Sequence, residues 1–163
     1  ETQERYRKSL DLLRNAIDET RSIARNQMRN VIQDFGLVMA VKSLIEDMTT
    51  SSGAVIDFYT NIEGQNLSDS VELNLYRIIQ ESLNNAIRHG GCTQIDVQLV
   101  ADDGELICTV EDDGCGFDTA DNSKMGMGLI SMRNRAQGLS GEIDIQSKQG
   151  SGTIISVMVP FSG

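Results

Sequence analysis

The chain has 163 residues, 39% apolar and 23% charged, which suits one soluble domain with an appendage and neither a disordered nor a membrane-embedded chain. Its longest apolar run, Leu37 to Val41, is far too short to cross a bilayer, and no signal-peptide pattern opens it. A net charge of -10 with no basic stripe argues against a nucleic-acid partner. Cys92, Cys108 and Cys115 lack metal-site or disulfide spacing, so they read as small buried or half-buried apolar residues of a reducing, cytoplasmic setting.

Tyr6, Leu10, Leu13, Ile17, Ala24 and Met28 recur at helical spacing, which predicts a long helix over residues 1 to about 30 whose narrow stripe suits a bundle partner. Gly36 interrupts the pattern, a candidate hinge, before Val38 to Met48 resume it. Thr49 to Gly53 reads as a linker, and Ala54 to Thr60 as a first strand. The division falls between residues 1–50 and 51–163.

Ser68 caps a helix whose apolar face runs Val71, Leu75, Ile78, Ile79, Leu83, Ala86 and Ile87, ending at Gly90 and Gly91. Gln94 to Val100 and Glu105 to Glu111 form a hairpin about Asp102-Asp103-Gly104, and the polar stretch Asp118 to Met125 reads as a mobile loop. Leu129 to Gln137 reads as a helix, and Glu142 to Ser147 with Thr153 to Val159 as a final hairpin. The order predicts an α+β fold, a two-layer α/β sandwich with helices on one face of a mixed sheet, preceded by the long helix.

Glu81, Asn85 and His89 recur at i, i+4 and i+8, on one helix face beside the apolar stripe. A carboxylate can hold water, an amide oxygen can ligate a hard cation, and His89 or Arg88 can meet phosphate. The bland alternative is the solvated edge of an amphipathic helix. Asp112-Asp113-Gly114-Cys115-Gly116 directly follows a strand, so it is either a simple turn or a place where backbone approaches a ligand closely. Gly126-Met127-Gly128 opens a helix, whose unpaired N–H groups favour an anion.

In this order and spacing, Glu81 to His89, Asp112 to Gly116 and Gly126 to Leu129 resemble the N, G1 and G2 boxes of the Bergerat (GHKL) ATP-binding fold. That fold is shared by histidine kinases, gyrase-type topoisomerases, MutL-type repair ATPases and heat-shock-90 chaperones. Gly128-Leu129-Ile130-Ser131-Met132-Arg133-Asn134-Arg135-Ala136 is similar to the G-L-x-x-M-R-E-R-A segment of sensor histidine kinases of the nitrate-sensor and DegS/DesK type. Asp18 to Asn26 and Asp34 to Val41 resemble the second dimerisation helix of that subfamily and its G-L-x-x-A-L lead-in. The subfamily's usual proline before that lead-in is missing, and Asn134 stands where glutamate is usual.

The resemblance implies that residues 1–50 are the C-terminal part of a dimerisation region and 51–163 the ATP-binding catalytic domain. It implies that Asn85 coordinates Mg2+ on the ATP phosphates, Glu81 is catalytic and holds water, and Asp112 accepts from the adenine amino group. Gly114 and Gly116 would give the base room, Gly126 and Gly128 would anchor a lid of residues 117 to 127 over the triphosphate, Leu129 would also belong to the ATP site, Thr153 would complete adenine binding, and Arg88 and His89 would face phosphate. ATP and Mg2+ are the implied cofactors. The implied partners are the chain's own dimerisation helices in a homodimer and a response regulator. His89, the only histidine, stands in the N box, so the acceptor histidine is expected elsewhere and this chain is not expected to phosphorylate itself. The alternatives are an ATP-dependent clamp or regulatory module of the same superfamily, or a serine-phosphorylating anti-sigma-factor kinase.

Overall fold

The computed structural model describes residues 31–119 and 126–161. The expected helix over residues 1 to 30, the dimerisation motif from Asp18 to Asn26 and most of the expected lid lie outside those residues. Helix α1 (residues 31–52) passes through Gly36, which takes the left-handed φ of +77°. The regular helical backbone is therefore broken where the sequence pattern is interrupted. The amide of Leu37 donates to Glu72 Oε1 at 3.1 Å, so a side chain from the next helix caps the resumed segment.

The expected linker at Thr49 to Gly53 is corrected, because α1 continues through Ser52. Thr50 Oγ1 donates to the Glu46 carbonyl at 2.8 Å and Ser52 Oγ to that of Met48 at 2.7 Å, so these hydroxyls turn back on the helix. Gly53, with φ of +75°, ends it.

Strand β1 (Val55–Thr60) leads to helix α2 (Asp69–Asn85), whose cap Ser68 accepts from Val71 N. The helix then widens into a π-helical turn at Ala86–Gly90, closed by left-handed Gly91. Strands β2 (Gln94–Asp102) and β3 (Glu105–Asp112), helix α3 (Met127–Gly138) and strands β4 (Glu142–Ser147) and β5 (Thr153–Pro160) follow. The sheet order is β1-β2-β3-β5-β4, parallel only between β1 and β2, which gives the mixed sheet expected.

Alternation along the strands sends Ile95, Val97, Leu99, Leu106, Cys108, Val110, Ile155, Val157 and Val159 to one buried face. Leu75, Ile78, Ile79 and Leu83 of α2 join them, as do Met132 and Ala136 of α3. Ile32, Leu37, Ala40, Val41, Leu44 and Ile45 of α1 belong to the same cluster. The opposite face carries Asp96, Gln98 and a Thr109–Ser156 hydroxyl pair, so helices cover one side. Burial leaves the Cys108 thiol as a small hydrophobe and pushes its pKa up to about 12.

Candidate functional site

A cavity of about 550 Å³ opens where the end of α2, the loop after β3, the start of α3 and the start of β5 meet. Glu81, Ser82, Asn85, Ala86, His89 and Gly90 form its helical wall. Asp112, Cys115, Gly116 and Phe117 come from the loop after β3, Gly126 to Leu129 from the start of α3, and Thr153 and Ile155 from β5. Of the residues singled out by sequence, the structure brings together Glu81, Asn85, His89, Asp112, Gly116, Gly126, Gly128, Leu129 and Thr153. Arg88 is exposed and outside the lining, and Gly114 is buried behind it.

The loop after β3 is tied down from several sides. Asp113 accepts from Thr93 N at 2.8 Å, Thr93 Oγ1 at 2.7 Å and Gln94 N at 3.0 Å, and these bonds hold its carboxyl below the usual carboxylate range. Cys115 N donates to the Gly90 carbonyl at 2.7 Å, and Gly150 N to that of Cys115 at 2.6 Å. Gly116, with φ of +57°, lies so close to the β4–β5 turn that a Cβ would strike the carbonyls of Lys148 and Gly152.

Thus fixed, Asp112 sits half-buried opposite Thr153 in the β3–β5 register. Burial pushes its pKa up, opposed by the backbone N–H groups of Gly114, at 2.8 Å from Oδ1, and Thr153. On the facing wall, Glu81 and Asn85 present hard oxygen donors one helical turn apart. A Cβ on Gly128 would overlap the Glu81 carboxylate, so a side chain there would push that carboxylate aside. Helix α3 has no side-chain cap at Gly126, which leaves its first N–H groups for an anion. The cavity therefore joins a half-buried carboxyl acceptor to a wall with side-chain oxygens and a helix end with free N–H groups.

The profile of the "Histidine kinase-, DNA gyrase B-, and HSP90-like ATPase" family matches residues 70–163. The chain belongs to this family. It is 29% identical over 152 residues to the oxygen sensor histidine kinase NreB of Staphylococcus carnosus, covering 93% of this chain and 44% of that one. It is 26% identical over 151 residues to the signal transduction histidine-protein kinase/phosphatase DegS of Brevibacillus brevis, covering 93% and 39%. The chain thus spans less than half the length of these curated relatives.

Among solved structures, the blue-light activated histidine kinase of Erythrobacter litoralis EL346 superposes with a TM-score of 0.71 at 19% identity, over 87% of this chain and 53% of that one. The histidine kinase AdeS of Acinetobacter baumannii gives 0.64 at 16% identity, over 94% and 83%. These likenesses carry the fold. The family match gives this chain an ATPase domain, and the sequence relatives named above are both histidine kinases. Among the described residues no helix is long and apolar enough to cross a membrane.

Sequence reasoning missed Ser82, Ala86 and Gly90, although each follows Glu81, Asn85 or His89 by one position on the same helical wall. It also missed Ile155, which carries no chemical signal of its own, and had Phe117 and Met127 only as the ends of the expected lid. The expectation that all cysteines are buried or half-buried is corrected for Cys115. This residue is exposed at the cavity, because the glycines on either side offer nothing to cover it, and its Sγ lies 3.2 Å from the His89 carbonyl.

Proposed function

We propose that this chain is the ATP-binding catalytic part of a two-component sensor kinase and passes the γ-phosphoryl group of ATP to a histidine on another segment. The observation that carries this reading is the half-buried Asp112 carboxyl, anchored by Gly114 N and set in one cavity with Glu81 and Asn85. Asp112 accepts from the adenine amino group, with Thr153 beside it. Gly114 and Gly116 let the loop after β3 pack closely on Gly90 and the β4–β5 turn, which holds Asp112 in place for the base. Gly126, Gly128 and Leu129 hold the phosphate end, which His89 approaches from the helix, while Arg88, outside the lining, would have to swing in to reach a phosphate oxygen.

Among the described residues no three acidic, histidine or cysteine side chains cluster as a metal cage, but the oxygen donors of Asn85 and Glu81 fit Mg2+ that is held chiefly by phosphates. When bound, Mg2+ supplies neutralisation of phosphate charge. Glu81 would hold a metal-bound water in place, and Asn85 would orient the phosphate end. In the transfer the bond between the γ-phosphorus and the bridging oxygen breaks, a nitrogen–phosphorus bond forms, and ADP leaves. Residues 1–50 act as the C-terminal part of a dimerisation region and 51–163 as the catalytic domain. A homodimer, a response regulator and a cytoplasmic location complete the reading.

Calorimetric titration with a non-hydrolysable ATP analogue, with and without Mg2+ and with the GTP counterpart, tests it. Adenine-selective binding that Mg2+ strengthens is expected, and Asn85→Ala should remove about tenfold of affinity with Mg2+ and little without it. No binding to folded protein would defeat the reading. Selective binding without transfer to an acceptor-helix protein supplied in trans would favour a clamp or regulatory module instead.

A further inference from the structure

The core-facing side of the sheet ends in a polar row. Asp112, Thr153 and Ser147 stand in register across β3, β5 and β4, where the next row inward is Val110, Ile155 and Ile145. Asp112 and Thr153 line the cavity, whereas Ser147 lies behind Thr153.

A serine hydroxyl has one hydrogen to donate and two sites at which to accept. Ser147 uses all three. Phe117 N donates to its Oγ at 2.9 Å, the Gly152 carbonyl oxygen lies 3.0 Å away, and Thr153 Oγ1 lies 2.9 Å away. A carbonyl can only accept, so the Ser147 hydrogen goes to Gly152. Thr153 must then be the donor in the hydroxyl pair. Its one hydrogen is thereby used, and Thr153 has only lone pairs left for a ligand.

We infer that Ser147 is a positioning residue for base recognition, which fixes Thr153 as an acceptor beside the Asp112 carboxylate so that the two select an amino-bearing purine edge. The inference rests on the adenine reading above. An ionised carboxylate also only accepts, so this side of the cavity offers two acceptors and no hydroxyl hydrogen. An exocyclic amino group has two hydrogens to give them. A carbonyl oxygen in its place, as in guanine, would face lone pairs on both sides. A free threonine hydroxyl could rotate to meet that oxygen, and Ser147 prevents the rotation.

The test measures the ratio of affinities for the ATP and GTP analogues in the whole chain, with folding checked by circular dichroism. Ser147→Ala should shift the ratio toward GTP by about five- to tenfold, while S147T, which keeps the hydroxyl, should retain the wild-type ratio. Thr153→Val should also reduce discrimination, and adding Ser147→Ala to it should change the ratio no further, because Ser147 acts through the Thr153 hydroxyl. A wild-type ratio in S147A, or an equal shift with Thr153 already replaced, would overturn the inference. If S147A does not fold, Ser147→Cys, whose thiol is a weak acceptor, should give the same shift. Wild-type protein that does not prefer ATP would instead defeat the adenine reading itself.

Discussion

Asp112 carries opposing demands. Its carboxylate must be bare to accept from a ligand, yet burial favours its protonated form. A folded-state pKa above the unfolded one means that the folded chain binds the proton more readily, so ionised Asp112 opposes folding at neutral pH and that opposition fades as pH falls through the raised value. Asp112→Asn keeps the shape and the acceptor for Gly114 N. It should lose at least about tenfold in ATP affinity while melting at or above the wild-type temperature at neutral pH. Wild-type affinity should fall as pH drops into the range just above ordinary carboxylate values, and the residual affinity of the variant should not. Calorimetry and thermal melts across that range check both, and a variant that binds ATP normally would remove the adenine role. Asp112, Glu81 and Asn85 were legible in the sequence because their chemistry and spacing are local. Ser147 was not, because its role arises only when the register of β4 on β5 sets it behind Thr153 and the loop after β3 brings Phe117 N to the same oxygen.

At the scale of elements, the joint between α1 and α2 adds one capping carboxylate to the apolar packing of the two helices. Glu72 accepts from Leu37 N just past left-handed Gly36, and burial raises its pKa, with the Leu37 bond opposing and Asp69 adding to the rise. The sequence showed Gly36 as a break, but the partner lies 35 residues away and no local pattern announces it. Likewise Thr49 to Ser52 looked like a linker, because their turning back onto α1 depends on that helix being held in a core. Glu72→Gln keeps an acceptor without the charge, so its stability should equal or exceed that of wild type at neutral pH. Glu72→Ala leaves the amide uncapped and should cost about 1 kcal/mol. Because the folded pKa is raised, acid relieves the wild-type charge. Any advantage of the glutamine variant should therefore shrink as pH falls through the Glu72 range and vanish below it. Urea titrations at neutral and acidic pH measure the difference, and an advantage that grows in acid would mean that the charge helps hold the joint.

Across the whole molecule, the order β1-β2-β3-β5-β4 puts the end of β3 beside the start of β5, so residues 41 positions apart, Asp112 and Thr153, become neighbours at one mouth of the core. The layer arrangement followed from the alternation and order of elements, whereas this pairing required the β3–β5 register. The same core takes in α1. Leu37, Ala40 and Val41 are nearly fully buried in the cluster that includes Ile78, Ile79 and Leu83 of α2, and the α2 wall of the cavity begins at Glu81. Among the described residues, 32–45 of α1 therefore contribute to the same core as the sheet and α2. If the core is one cooperative unit, Leu37→Ala should lower stability by about 2–5 kcal/mol and should move the loss of helix and the loss of nucleotide binding together. Urea unfolding followed by circular dichroism and by release of a fluorescent ATP analogue, each extrapolated to zero ligand, gives the two curves. Coincident shifts would mean that α1 is part of the frame that holds the α2 wall. A helix transition that moves alone would mean that the nucleotide site stands without α1.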